Sequence, residues 1–358
     1  MSTGNRRRLI QEIEKTYAMP LVAYVVGDRP SMPAQIGMDA VVRFRRHLEA
    51  IGTVESLGFF IYSRGGDTNV PWRLINLLRE YCTRLVAFVP FRAHSAATLC
   101  CLGADRIVMG RMGELTSIDP SVANQFNPPD PLNPLARVPI SVEDVIAFSK
   151  LKVAFGIEHD EIANAQVFSA LAPKVDPIAL GNVYRSYLQI RQLAEQLLRL
   201  HIDSAQGCGD GERIEGIVKM LTEKLYSHQH LINRREAGKL GLPVEMATSA
   251  QDTLLWNLFS EYSDYLKLET PFNAGGLMPG QAGRVSIDVP QAIIETKVMA
   301  DVFSTKGIVT PPQPLPPGVQ LPPGAQIQAA LQITSQSWEI RDGQDPMADQ
   351  KGAGAAVR

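Results

Sequence analysis

The chain opens by alternating short apolar runs with longer stretches whose apolar positions recur every three or four residues. "PLVAYVVG" (20–27) is β-branched and apolar between Pro20 and Gly27, the pattern of a buried strand. From Met38 to Ile51 the apolar positions fall three and four apart, which predicts a helix. "SLGFFIYS" predicts a second strand that ends in "RGGD", Val70 to Cys82 a helix, and "RLVAFVP" a third strand. In "FRAHSAATLCCLGADRIVMG" (91–110), "ATLCCLGA" reads as a short helix and "DRIVMG" as a fourth strand. Strands alternating with helices at this spacing predict an α/β domain with a mostly parallel sheet.

Farther along, "SIDPSVANQFNPPDPLNPLARVP" is rich in Pro, Asn and Asp and predicts a long irregular excursion. Helical periodicity resumes over 141–155, with Ser141 as N-cap and Asp144 in capping-box position. Further helices are predicted over 180–201, 214–225, 251–268 and 290–304. "NRREAGKLGL" predicts a short helix capped by Asn233 and stopped by Gly241. Seven prolines in "TPPQPLPPGVQLPPGAQ" predict an extended linker, and "MADQKGAGAAVR" a disordered end. The organisation expected is therefore one domain over 1–308, then a Pro-rich linker and partly disordered tail over 309–358. Within that tail "QIQAALQITSQSWEIRDG" fits either a strand docking elsewhere or a partner-binding segment. No internal repeat is evident.

Composition narrows the function classes. With 358 residues, 45% hydrophobic and 20% charged, the chain can bury one large core or two moderate ones. A net charge of −2 provides no basic footprint for nucleic acid. The three arginines of "MSTGNRRRLI" read as a solvated helix start, the alternative being an anionic partner site. No apolar run reaches the roughly 18 residues of a membrane span, and the N-terminus lacks the order of a secretory signal. The four cysteines form no Cys-x-x-Cys spacing, and adjacent Cys100 and Cys101 make a poor disulfide pair, which fits a reducing cytoplasm.

Two short segments carry candidate chemistry. Gly65 and Gly66 directly follow a strand, where glycine lets the backbone take positive φ and turn N–H groups outward to hold an oxyanion; a plain turn uses the same residues. A helix opening at Ser95 puts that hydroxyl at the positive end of the helix dipole, as a nucleophile would need, but serine is equally a preferred N-cap. Asp67 and Asp105 read as structural, capping the Val70 helix and turning the Ala-rich helix into its strand. Trp72, Phe88 and Phe91 lie in core-forming segments. No phosphate loop, dinucleotide fingerprint or metal spacing appears; a zinc site at His228 and His230 lacks a third ligand nearby. No cofactor is implied.

Taken in order, "SRGGDTNVPWRLINLLREY", "HSAATLCCLGADRIVMGRMGELTSIDPSV" and "KLYSHQHLINRREAGKLGL" resemble the serine dehydrogenase proteinase family of the Clp protease/crotonase superfamily, relatives of signal-peptide peptidase A. The resemblance spans roughly residues 15–305. It implies a Clp/crotonase-like fold of repeated β-β-α units with a helical outer layer, and a cytoplasmic serine peptidase acting on a peptide or protein substrate. It also implies a homo-oligomer, a trimer or ring, with the helices at 180–201 and 251–268 as candidate contacts. Ser95 stands at the nucleophile position, and the N–H groups of Gly66 and Ala96, beside Gly65, form the oxyanion hole.

The serine needs a base, because its hydroxyl is too weak an acid at neutral pH. Where the Clp pattern has histidine, this chain has Asp119; where Clp has the acid, it has Gln229 between His228 and His230. The imidazole and the acid are therefore expected to have exchanged places, giving Ser95, His228 and Asp119, with His230 as the alternative base. His94 reads as a packing neighbour. A serine–lysine dyad would require a desolvated lysine; Lys150 and Lys152 sit at a suitable distance but read as a solvated helix face. Two further classes stay open: a non-catalytic scaffold on the same fold, and a crotonase-type acyl-CoA enzyme.

Overall fold

Apolar runs that are buried on both sides become parallel strands, and the first four such runs here do so. The computed structural model describes residues 3–118, 160–171, 175–202, 210–224, 230–277, 283–311 and 329–341, with short pieces between 121 and 156. Helix α1 (Thr3–Tyr17) precedes β1 (Leu21–Val26), α2 (Met38–Ile51), β2 (Val54–Tyr62), α3 (Val70–Arg79) and β3 (Cys82–Val89). Next come β4 (Arg92–Ala93), α4 (Ala96–Leu102), β5 (Arg106–Met109) and β6 (Glu114–Thr116), then the two-residue strands β7 (Ser121–Val122) and β8 (Ile140–Ser141). Helices α5 (Glu161–Leu171), α6 (Pro177–Arg199) and α7 (Asp210–Lys219) lead to β9 (Leu231–Asn233), α8 (Arg234–Lys239), β10 (Val244–Met246) and α9 (Ser249–Leu266). The long strands β11 (Val285–Glu295), β12 (Ala300–Thr310) and β13 (Ala330–Ile340) follow.

Eight strands form one mixed sheet in the order β10-β5-β3-β2-β1-β11-β12-β13. From β10 to β1 all neighbours are parallel; β11, β12 and β13 are added antiparallel. Successive parallel strands step in one direction, and right-handed crossovers then put α2, α3 and α4 on one face. Alternation along each strand sorts the core. Val22, Tyr24, Phe59, Ile61, Ala87 and Val89 pack under those helices together with α6 and α7. Their neighbours Ala23, Val25, Phe60, Tyr62, Val86 and Phe88 pack under α1 and α9. The result is an α/β sandwich with helices on both faces of the sheet.

Two expectations are corrected, and of the two readings of the tail the docking strand is the one found. Residues 290–304 are not helical but form most of a hairpin, turned where the Thr296 N–H donates to Met299 O at 2.9 Å. Ile293 and Ile294 are both fully buried, so the period-two signal of a strand is erased, and Pro290 sits at a bulge where its missing N–H costs no ladder bond. Ser141 lies in β8, opposite Ser121, and residues 142–146, over which its helix was expected to start, lie outside the described residues. The tail beyond 309 supplies β13, paired along β12 and tied to the first turn of α2 by Trp338 Nε1 donating to Asp39 Oδ2 at 2.8 Å. Finally, the arginine run is not wholly solvated. Arg6 is buried against Glu295 at 2.8 Å, with the Tyr265 ring 4.4 Å from its guanidinium.

Other boundaries follow local chemistry. Helix α6 starts three residues earlier than periodicity suggests, because Asp176 accepts the Ile178 N–H at 2.7 Å and Pro177 occupies the first turn. Asn233 caps α8 through the N–H groups of Arg235 and Glu236, and Gly241 leaves the helix at φ 90°. No helix among the described residues is long and apolar enough to cross a membrane.

Candidate active site

The loops after β1, β2 and β3 meet at the C-terminal end of the parallel strands. Strand β4 pairs with β6, and β6 with β9, making a second small sheet beside the large one. Ser63 joins the two: its N–H donates to Arg92 O at 2.9 Å and its carbonyl accepts from His94 N–H at 3.0 Å. This stitching sets the chain leaving β4 directly against the Gly65–Gly66 turn.

Ser95 is the first residue of that chain after His94, and its backbone is strained. It has φ 51° and ψ −112°, a conformation L-residues rarely adopt. Although it occupies the N-cap position of α4, its side chain makes no capping hydrogen bond. Its Oγ has no partner among the described residues, and the residue is half-buried. The strain is held in place by a threonine network. The Ser95 N–H donates to Thr116 Oγ1 at 2.9 Å, which in turn donates to Ser117 O. Thr98 Oγ1 donates to Ala93 O at 2.7 Å and accepts the Thr116 N–H at 3.1 Å, tying α4 to both β4 and β6.

The two glycines are each required by close approach. A Cβ on Gly65 (φ 113°) would lie 2.9 Å from Ser95 Cβ and 3.3 Å from Ser95 Oγ. One on Gly66 (φ 153°) would lie 2.3 Å from Ile36 O. Gly66 pairs with Ile36 in a parallel bridge, in which Ile36 N–H donates to Gly65 O and Asp67 N–H to Ile36 O, both at 2.9 Å. The Gly65 N–H is taken up by Ser63 Oγ at 2.9 Å. The N–H groups of Gly66 and of Ala96, the first residue of α4, have no acceptor among the described residues. Of the three residues assigned to an oxyanion hole, Gly66 and Ala96 therefore offer free donors, and Gly65 offers clearance for the serine.

An ion-pair chain borders this centre. Asp28, just past β1, accepts from Tyr62 OH at 2.6 Å, Arg64 Nε at 2.8 Å and Arg92 Nη1 at 3.0 Å. Arg92 also reaches Glu114 at 3.4 Å, and Glu114 meets His94 Nε2 at 3.0 Å. Burial, with the charges of Arg92 and Arg64, pushes the His94 imidazole down to about 4. His94 is thus a neutral group engaged with Glu114 at physiological pH.

Of the expected bases, His230 is described and sits at the start of β9, one residue before Leu231, which pairs with Thr116. Its Nε2 meets Glu236 Oε1, in the first turn of α8, at 2.8 Å. Imidazole and carboxylate are thereby joined one residue beyond the strand pair that includes the threonine holding Ser95. His228, Gln229, Asp119 and Lys152 lie outside the described residues. Lys150 is exposed. Asp105 accepts the Leu85 N–H and meets Arg79 at the turn from helix to strand, as expected; Asp67 accepts the Asn69 N–H but its side chain makes no cap bond to the Val70 helix, whose N-cap is Asn69. Among the described residues no three His, Cys, Asp or Glu side chains gather as around a metal ion.

Residue pattern alone did not single out Thr116, Ser63, Asp28, Glu114 or Glu236. Only Glu236 had a local signal: the Asn233 cap folds the first turn of α8 back toward the residues that precede it. No protein-family model matches the chain, and no curated protein does.

Proposed function

We propose that the protein is a serine peptidase of Clp/crotonase-like architecture. The observation that carries the reading is Ser95 itself: a strained, uncapped serine beside free N–H groups on Gly66 and Ala96. Strain of this kind is costly and persists where surrounding structure over-determines it, as at nucleophiles. Ser95 Oγ attacks a peptide carbonyl, its proton passes to an imidazole nitrogen, and the oxyanion is held by the two amides. Collapse of the adduct expels the amine, which takes that proton; water then cleaves the acyl-serine by the same steps reversed.

The base comes from the segment 228–230, either His228 with Asp119 or His230 with Glu236. Exposed Tyr184 and Leu188, one turn apart on α6, support a homo-oligomer through that helix. A cytoplasmic setting fits the cysteine usage. A non-catalytic scaffold on the same fold is the alternative, favoured by the engagement of His94, the imidazole next to Ser95 in sequence, with Glu114.

The test is covalent labelling with a fluorophosphonate probe. Labelling of wild type, its loss in Ser95→Ala, and its loss in one of His228→Ala or His230→Ala would establish the nucleophile and name the base. An unlabelled wild type beside a labelled control hydrolase sinks the peptidase assignment in favour of the scaffold.

A further inference from the structure

Strands β11 to β13 run on past the end of β1, whose pairing with β11 begins only at Ala292. There a cavity of about 350 Å³ opens between the segment following α9 and the first half of β11, a volume within the range of small-molecule sites. Phe272, Ile287 and Val289 line it with apolar surface, and Arg29 and Lys267 line it with positive charge.

Neither cation meets a carboxylate among the described residues. Arg29 is half-buried; its Nε donates to the Thr270 carbonyl at 2.9 Å and its guanidinium lies 5.4 Å from the Phe272 ring. Asp288, which also lines the cavity, is held by Arg341 Nη2 at 2.8 and 2.7 Å and so is already neutralised. Burial and the Arg29 charge lower the pKa of the Lys267 ammonium, so the two cations disfavour each other. Lys267 is also the left-handed C-cap of α9, at φ 53° and ψ 47°. Glycine fits that conformation without cost, yet a long cation stands there.

We infer that this cavity binds the carboxylate of an apolar-tailed ligand, with Arg29 and Lys267 holding the carboxylate and Phe272, Ile287 and Val289 the tail. The same chemistry is offered by a free aliphatic acid and by the C-terminal carboxylate of an apolar peptide. The inference is independent of the chemistry at Ser95.

Calorimetric titration of the full chain tests it with four probes: decanoate, decanamide, acetyl-Ala-Leu-Leu-Leu and its C-terminal amide. At least one of the two carboxylates binds at one site per chain, about tenfold or more tighter than its amide. Arg29→Ala and Lys267→Gly each weaken that binding by about tenfold, and the double variant loses it. Decanoate alone or the peptide alone binding assigns the source of the carboxylate. Lys267→Gly relieves a left-handed residue, so its melting temperature holds or rises and lost binding there is not lost folding. Ser95→Ala leaves the titration unchanged. Binding of neither carboxylate, equal affinity for acid and amide, or full binding in the double variant overturns the inference.

Discussion

Replacing Ser95 by alanine and, separately, by glycine isolates the backbone strain at the candidate nucleophile. Both variants remove an Oγ that has no partner among the described residues, so hydrogen bonding at that atom cancels in the comparison. What differs is φ 51°, ψ −112°, which alanine must still adopt and glycine adopts freely. Strained residues of this type cost about 1–3 kcal/mol. Glycine gives back about 0.5–1 kcal/mol through the entropy of the unfolded chain. The net expectation is that Ser95→Gly is more stable than Ser95→Ala by about 1 kcal/mol, a few degrees at most in melting temperature for a chain of this size. The Ser95 N–H to Thr116 bond survives in both, because it uses only backbone on the serine side. Thermal and urea unfolding of the two purified variants, measured side by side, supply the comparison. At an ordinary site glycine is the less stable of the pair; finding that order here would refute the claim that the structure holds Ser95 under strain.

Three further outcomes are expected. Gly66→Ala drives a Cβ to 2.3 Å from Ile36 O and disrupts two backbone hydrogen bonds, so it lowers stability by about 3 kcal/mol or more in urea titration and abolishes probe labelling. Glu295→Gln leaves the buried Arg6 guanidinium without its counter-charge and costs about 3–5 kcal/mol by the same measurement. His94 is held near 4 against an ordinary value of 6.5, so below pH 6.5 the unfolded chain binds a proton that the folded chain refuses. Its contribution to stability therefore falls as pH drops from 6.5 to 4, and His94→Gln flattens that part of the stability profile; an unchanged slope would contradict the neutral assignment.

How much of this was legible before folding depended on how local the determinants were. The first four parallel strands and the helices α2 and α4 were readable because each carries its own local pattern, and Asn233 and Gly241 because capping is a contact within a few residues; the three-residue β10 was not. The β11–β12 hairpin was not, since burial on both faces leaves Ile293 and Ile294 adjacent and equally apolar, as in a buried helix. Gly65, Gly66 and Ser95 could be nominated from residue type. The clearance Gly65 gives Ser95, and the Ile36 bridge that ties down the Gly65 carbonyl and the Asp67 N–H on either side of Gly66, connect segments about thirty residues apart and leave no mark in either one. Arg6 was misjudged for the same reason, because Glu295 lies near the other end of the chain.

The Trp338–Asp39 hydrogen bond gives the last described strand a mechanical part in the candidate site. Asp39 stands in the first turn of α2, and Ile36, whose backbone bonds the Gly65 carbonyl and the Asp67 N–H, lies three residues before it. A protein shortened just before β13 would keep every residue of the Ser95 centre yet lose the brace at the root of the loop that shapes it. Proteolytic trimming of the C-terminal region could thus slacken the oxyanion donors from a distance, with the nucleophile itself untouched.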